Sequence, residues 1–152
     1  MARGVTVTGL RDLEKAMEGM KKSTGRGLLR RVGIKALTPI ADAGRANAPK
    51  GQGDLKESYG VSTKLSKRQA KLHRKLVKDS KAAIEVFAGP GALSQAIQTE
   101  FGNDDQSPQP HLRPAWSAGK DKVLADVKSG LAEAIAKSAK TAARKAAKLA
   151  KG

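Results

Sequence analysis

A chain of 152 residues is long enough for one domain, and 39% apolar residues with only 3% aromatics, many of the apolar positions being Ala, predict a thin core that leans on other surfaces. Lys and Arg outnumber Asp and Glu 30 to 14 for a formal net charge of +16, which suits acidic protein surfaces or nucleic acid as partners, or more plainly keeps an Ala-rich chain soluble. The absence of cysteine excludes disulfides, thiolate catalysis and Cys-ligated zinc; the N-terminus lacks the apolar run of a signal peptide, and no segment reaches transmembrane length.

In chain order, Val5-Thr6-Val7-Thr8 alternates as a short strand does, and Gly9 stops it. Leu10, Leu13, Met17 and Met20 then share one helical stripe, which Gly25-Arg26-Gly27 is expected to end or interrupt. A second helix is predicted over 28–46 from the spacing of Leu29, Val32, Ala36, Ile40 and Ala43. Pro39 predicts a kink or restart inside it, with Thr38 as a possible cap.

Ala48-Pro49 closes that helix and Gly51 to Gly53 form a turn. Tyr59, Val61, Thr63 and Leu65 have period two, predicting a strand within 55–65, and Ala82, Ile84, Val86 and Ala88 predict its hairpin or meander partner, stopped by Gly89-Pro90-Gly91. Between them lies the densest basic stretch, with Lys67, Arg68, Lys71, Arg74, Lys75 and Lys78 as contact candidates. It reads as either a long loop or a short helix.

A short helix is predicted over 92–99, a loop over 102–110, and a last helix from about Ala115. Trp116, Val123, Val127, Leu131, Ile135 and Ala139 are its buried or partner-facing positions. The fold class is therefore α+β, a small antiparallel sheet packed by N-terminal helices and a long C-terminal helix. Residues 1–135 form a single domain, and 136–152 a basic Ala/Lys-rich helical extension with little to bury.

Signs of catalysis or cofactor binding are few. His73 and His111 lack the spacing of a metal pair, so both read as solvated or packed; Asp104-Asp105 reads as a solvated turn; Gly51-Gln52-Gly53 lacks the Lys-Ser/Thr of a phosphate loop. No enzymatic activity and no cofactor are expected.

Three separated phrases stand out: Ala48-Pro49 through Gly53, Leu55 and Ser58; Glu100-Phe101-Gly102; and Pro110-His111-Leu112-Arg113-Pro114-Ala115. In order and spacing, to about Val127, the chain resembles the head-tail joining, tail-completion or neck proteins of long-tailed bacteriophages, the gene-product-ten-like family of lambda-type phages. It departs from the family's pattern at Gln52-Gly53-Asp54, where Thr-Gly is usual, at Asn103, where Thr is common, and at His111, where a Phe is usual.

The resemblance implies a structural virion protein, made in the host cytoplasm and carried in the particle's neck. It also implies a homo-oligomeric ring, a hexamer, meeting other neck and tail proteins such as stopper, tail terminator or tube. The motif and interface candidates are Pro49, Gly53, Leu55, Ser58, Glu100, Phe101, Gly102, Leu112, Arg113 and Pro114.

Read physically, Phe101 is expected to anchor the core, Gly102 to allow a turn, and Arg113 either to donate to carbonyls or to a carboxylate such as Glu100, or to stand as a surface residue at a helix entrance. Pro114 fits the first turn of a helix. The alternative reading is a non-specific nucleic-acid-binding basic protein, from the stretch Lys64 to Lys81 and the Ala/Lys terminus. It has no interleaved aromatics and no reader motif.

Overall fold

A computed structural model describes residues 22–50, 53–77 and 84–150, with Arg11, Glu14, Met17 and Glu18 as isolated positions. The strand expected over 5–8, most of the first expected helix, and Lys78 lie outside the described residues. The elements are α1 (Lys22–Asn47), α2 (Gly53–Glu57), β1 (Tyr59–Ser62), α3 (Lys67–Leu76), β2 (Phe87–Pro90), α4 (Ser94–Phe101) and α5 (Leu112–Ala150). The class is α+β: β1 and β2 form an antiparallel pair with Tyr59 opposite Pro90 and Ser62 opposite Phe87, packed against helices that include the long C-terminal one.

Two apolar clusters hold α1 in place. Leu28 and Val32 of α1 meet Leu131 of α5, flanked by Val127 and Ala134; Ala41 and Ala48 meet Leu55, Tyr59 and Ala96, flanked by Val61, Ala88, Leu93 and Leu112. Each fully buried large side chain contributes on the order of 1.5–3 kcal/mol, so the larger residues carry this Ala-rich core. Glycines set the helix approach. A Cβ on Gly119 would stand 2.3 Å from Ile40 Cδ1, and one on Gly44 would stand 2.4 Å from the Tyr59 ring.

The structure corrects several expectations about α1. It runs through Gly25 and Gly27 without a break, since the roughly 1 kcal/mol cost of each helical glycine is outweighed by burying Leu28 and Val32 on Leu131. It also runs through Pro39 with no restart there. That residue is exposed, so water can reach the carbonyl that loses its partner, and Thr38 is no cap: its hydroxyl donates to the Ile34 carbonyl at 2.8 Å.

The strand expected over 55–65 shrinks to Tyr59–Ser62. Its first part is the short helix α2, with Asp54 in the first turn, Leu55 completely buried, and Gly53 as a helical residue, not a turn. The partner strand is displaced to Phe87–Pro90, so Gly89 and Pro90 lie inside it and Ile84 to Val86 outside. A two-stranded sheet has only edge strands, where Pro90 leaves no ladder bond unmade on its open side.

The basic stretch is a helix, α3, and not a loop. Ser66 caps it by accepting from Gln69 N at 3.3 Å, while Gln69 Oε1 accepts from Ser66 N at 3.1 Å. The last helix starts at Leu112, three residues earlier than Ala115. Of its expected inward positions Leu131 is buried, Val123, Val127 and Ile135 are half-buried, and Trp116 and Ala139 are exposed. From Ala139 to Ala150 every residue is exposed.

Candidate functional site

The three phrases converge. Glu100, near the C-terminal end of α4, turns a buried carboxylate toward the start of α5, where helical amides have no partner of their own. Oε2 accepts from His111 N at 2.8 Å and Leu112 N at 2.9 Å; Oε1 accepts from Arg113 N at 3.0 Å. Arg113 adds Nε to Oε1 at 3.0 Å and Nη2 to the Glu100 carbonyl at 2.9 Å. This capping explains the early start of α5, with Pro114 in its first turn, where a missing amide costs nothing.

Burial alone would raise the Glu100 pKa, but the amides of His111, Leu112 and Arg113 and the Arg113 side chain together bring it from the ordinary 4.5 down to about 2. The carboxylate is therefore ionised at neutral pH. Burial first, and the Glu100 charge second, push the Tyr59 phenol well above its ordinary value.

Tyr59 reaches the same point from β1. Its hydroxyl contacts His111 Nδ1, the two rings standing edge to face with centroids 5.6 Å apart, and Glu100 Oε2 lies 3.3 Å from the same nitrogen. His111 Nε2, on the other side of the ring, is buried and without a partner among the described residues. Asn47 Nδ2 donates to the His111 carbonyl at 3.2 Å, and Arg45 Nη2 to the Tyr59 carbonyl at 2.8 Å, so the last turn of α1 grips both neighbours.

The first phrase supplies the floor. Ala48 N donates to Gly44 O at 3.0 Å and ends α1 before the half-buried Pro49. Leu55 packs beneath Tyr59, and Ser58 closes α2 by donating to the Leu55 carbonyl at 2.7 Å while its own carbonyl accepts from Gly91 N at 3.1 Å. Leu112 lies half-buried against this cluster.

Phe101 is not a core anchor: it is 60% exposed. Adjacent helical residues point about 100° apart, and Ala96, Thr99 and Glu100 take the inner face of α4, leaving Ile97 and Phe101 outside. The Arg113 guanidinium covers the Phe101 ring at 4.7 Å. Gly102 does turn the chain as expected, at φ +78°, where an added Cβ would stand 2.9 Å from the Gln106 carbonyl oxygen.

Beside this node, Leu72, Leu93, Ile97, Phe101 and Leu112 line a largely apolar groove of about 460 Å³ between α3 and α4. Lys67, Arg68, Lys71, Arg74 and Lys75 are all exposed on α3, with Arg68 at the edge of this groove.

Sequence reasoning anticipated the Glu100 to Arg113 link and missed the parts played by Tyr59, Asn47 and Gly44. A sole tyrosine near the first phrase and a histidine inside the third were the only signals. Asn47 and Gly44 carried none. Among the described residues no cluster of His, Asp or Glu is arranged to hold a metal ion, and no helix is long and apolar enough to cross a membrane. No protein-family model, curated protein or solved structure matches the chain.

Proposed function

We propose that the chain is a structural virion protein of a tailed bacteriophage, a tail-completion or head-tail connector component that forms a ring at the neck. The convergence of the three phrases carries this reading, because Ala48 and Leu55 of the first pack in one cluster with Leu112 of the third, and Glu100 of the second bonds Leu112 and Arg113. In the proposed role this node is scaffolding: three amides at the start of α5 and the Arg113 side chain take up the Glu100 carboxylate.

Surfaces suited to assembly lie outside the node. Ile97, Phe101, Leu72 and Trp116 are 60%, 60%, 50% and 47% exposed, and every residue of α5 from Ala139 to Ala150 is exposed. In the ring these would face other copies or the adjoining stopper, tail terminator or tube.

Electron microscopy of particles assembled without the protein tests the reading. Separate filled heads and finished tails are expected. Intact, infectious virions would sink it, as would a purified protein that stays monomeric at every concentration in sedimentation.

A further inference from the structure

We infer that the outer face of α3 is a docking surface for the phosphate backbone of double-stranded nucleic acid. At 3.6 residues per turn, Lys67, Arg68, Lys71, Arg74 and Lys75 fall within about 120° of the helix circumference and along about 12 Å of its axis. All five are exposed, and among the described residues no carboxylate pairs with any of them. The sequence between Glu57 and Glu85 holds a single acid, Asp79, against Lys64, these five, Lys78 and Lys81.

The helix beneath these charges is anchored. Its other side carries Gln69, Ala70 and His73, all half-buried; Gln69 Nε2 donates to the Gly91 carbonyl at 3.1 Å, and the His73 ring stands edge to face on Phe87 with centroids 5.2 Å apart. His73 Nε2 also lies 3.8 Å from Glu85 Oε1, and the capping box fixes the first turn. The cations therefore project from a positioned rod, so less ordering entropy opposes binding than for charges on a free segment. The basic residues beyond Ala139 sit on a helix without such anchoring.

A duplex suits this comb better than a protein does. It offers about one phosphate per 1.7 Å of axis, a charge density that tolerates any register of exposed Lys and Arg. No Phe, Tyr or Trp lies on α3 to stack a base, and its one imidazole, His73, is half-buried against Phe87, so contact stops at the backbone and carries no sequence preference. The inference is independent of the neck role, since it concerns the purified protein and not the particle.

The test measures binding of a mixed-sequence 30-base-pair duplex by fluorescence anisotropy across a salt series. The proteins are the full chain, a variant with Lys67, Arg68, Lys71 and Lys75 all changed to Gln, and a control with Lys140, Arg144 and Lys148 changed to Gln. Each neutralised phosphate adds about −0.9 to the slope of log K against log salt, so the α3 variant should lose about 3 to 4 from that slope. At 100 mM salt it should bind about a hundredfold more weakly, while the control stays near the full chain. Circular dichroism confirms that both variants are folded.

Three results would overturn the inference: no duplex binding by the full chain at low salt, equal losses in the two variants, or binding of polyglutamate as tight and as salt-dependent as that of DNA. The last would assign the face to an acidic protein.

Discussion

Glu100 and Arg113 are joined by side chain and backbone at once: the carboxylate accepts both the Arg113 amide and its Nε, and the guanidinium returns a bond to the Glu100 carbonyl. The pair ties the end of α4 to the start of α5, and the carboxylate is the buried partner while the guanidinium is 55% exposed. Protonating or neutralising Glu100 thus leaves several amides at the α5 start without a strong acceptor.

Acid should loosen the fold through this residue. A carboxyl that titrates at about 2 when folded and near 4.5 when unfolded contributes stability that is full above about pH 5 and is lost as pH falls toward 2. The contribution is on the order of 3 kcal/mol. Glu100→Gln should lower stability at pH 7 by about 2–3 kcal/mol and flatten the pH dependence between 5 and 2, read from urea unfolding at several pH values. An unchanged slope with pH in the variant would show that other carboxyls govern acid unfolding.

Gly44 should tolerate no side chain. A Cβ there would meet Cε1, Cζ and the hydroxyl of Tyr59 at 2.4, 2.9 and 3.0 Å, and the ring cannot swing aside because its hydroxyl is held at His111. Gly44→Ala is expected to cost about 2–3 kcal/mol. Gly119→Ala, which meets only the terminal methyl of Ile40 at close range, should cost less, about 1 kcal/mol. Equal losses in thermal unfolding would mean that Tyr59 is free to repack.

Residues whose role is local were legible in the sequence. Ala48-Pro49 ends α1, Gly102 turns the chain, Pro114 sits in the first turn of α5, and Arg113 finds Glu100. Residues whose role depends on helix phase or on distant partners were not. Leu55 belongs to a helix because its burial beneath Tyr59 outweighs the period-two pattern that follows it. Phe101 is outside because it neighbours Glu100 on one helix, and the residue that caps three amides takes the interior. His111 and Tyr59 are 52 positions apart, a separation at which neither residue signals the other.

Phe101→Ala should therefore be mild for stability. The ring is 60% exposed, so its removal is expected to cost below about 1 kcal/mol in urea unfolding, well short of the 3–5 kcal/mol of a buried aromatic. With Ile97, also 60% exposed and four residues earlier, it forms an apolar pair on the outside of α4. Self-association measured by sedimentation should weaken more than tenfold if that pair meets another copy. A large stability loss with unchanged association would reverse this assignment.

Deleting the residues after Ala136 should leave the domain folded. Leu131 and the half-buried Ala134 and Ile135 remain, and with them the cluster formed with Leu28 and Val32, whereas everything from Ala139 to Ala150 is exposed. Removing a segment that is exposed apart from the half-buried Ser138 costs little beyond its own helical bonds, so the midpoint of thermal unfolding should move by about 2 °C or less. Loss of the cooperative transition would mean that the end of α5 packs on the rest of the chain. Ring formation is the more sensitive readout, because a long exposed helix rich in Ala, with Lys140, Arg144 and Lys148 on one side, has its apolar side left to bury on a neighbour.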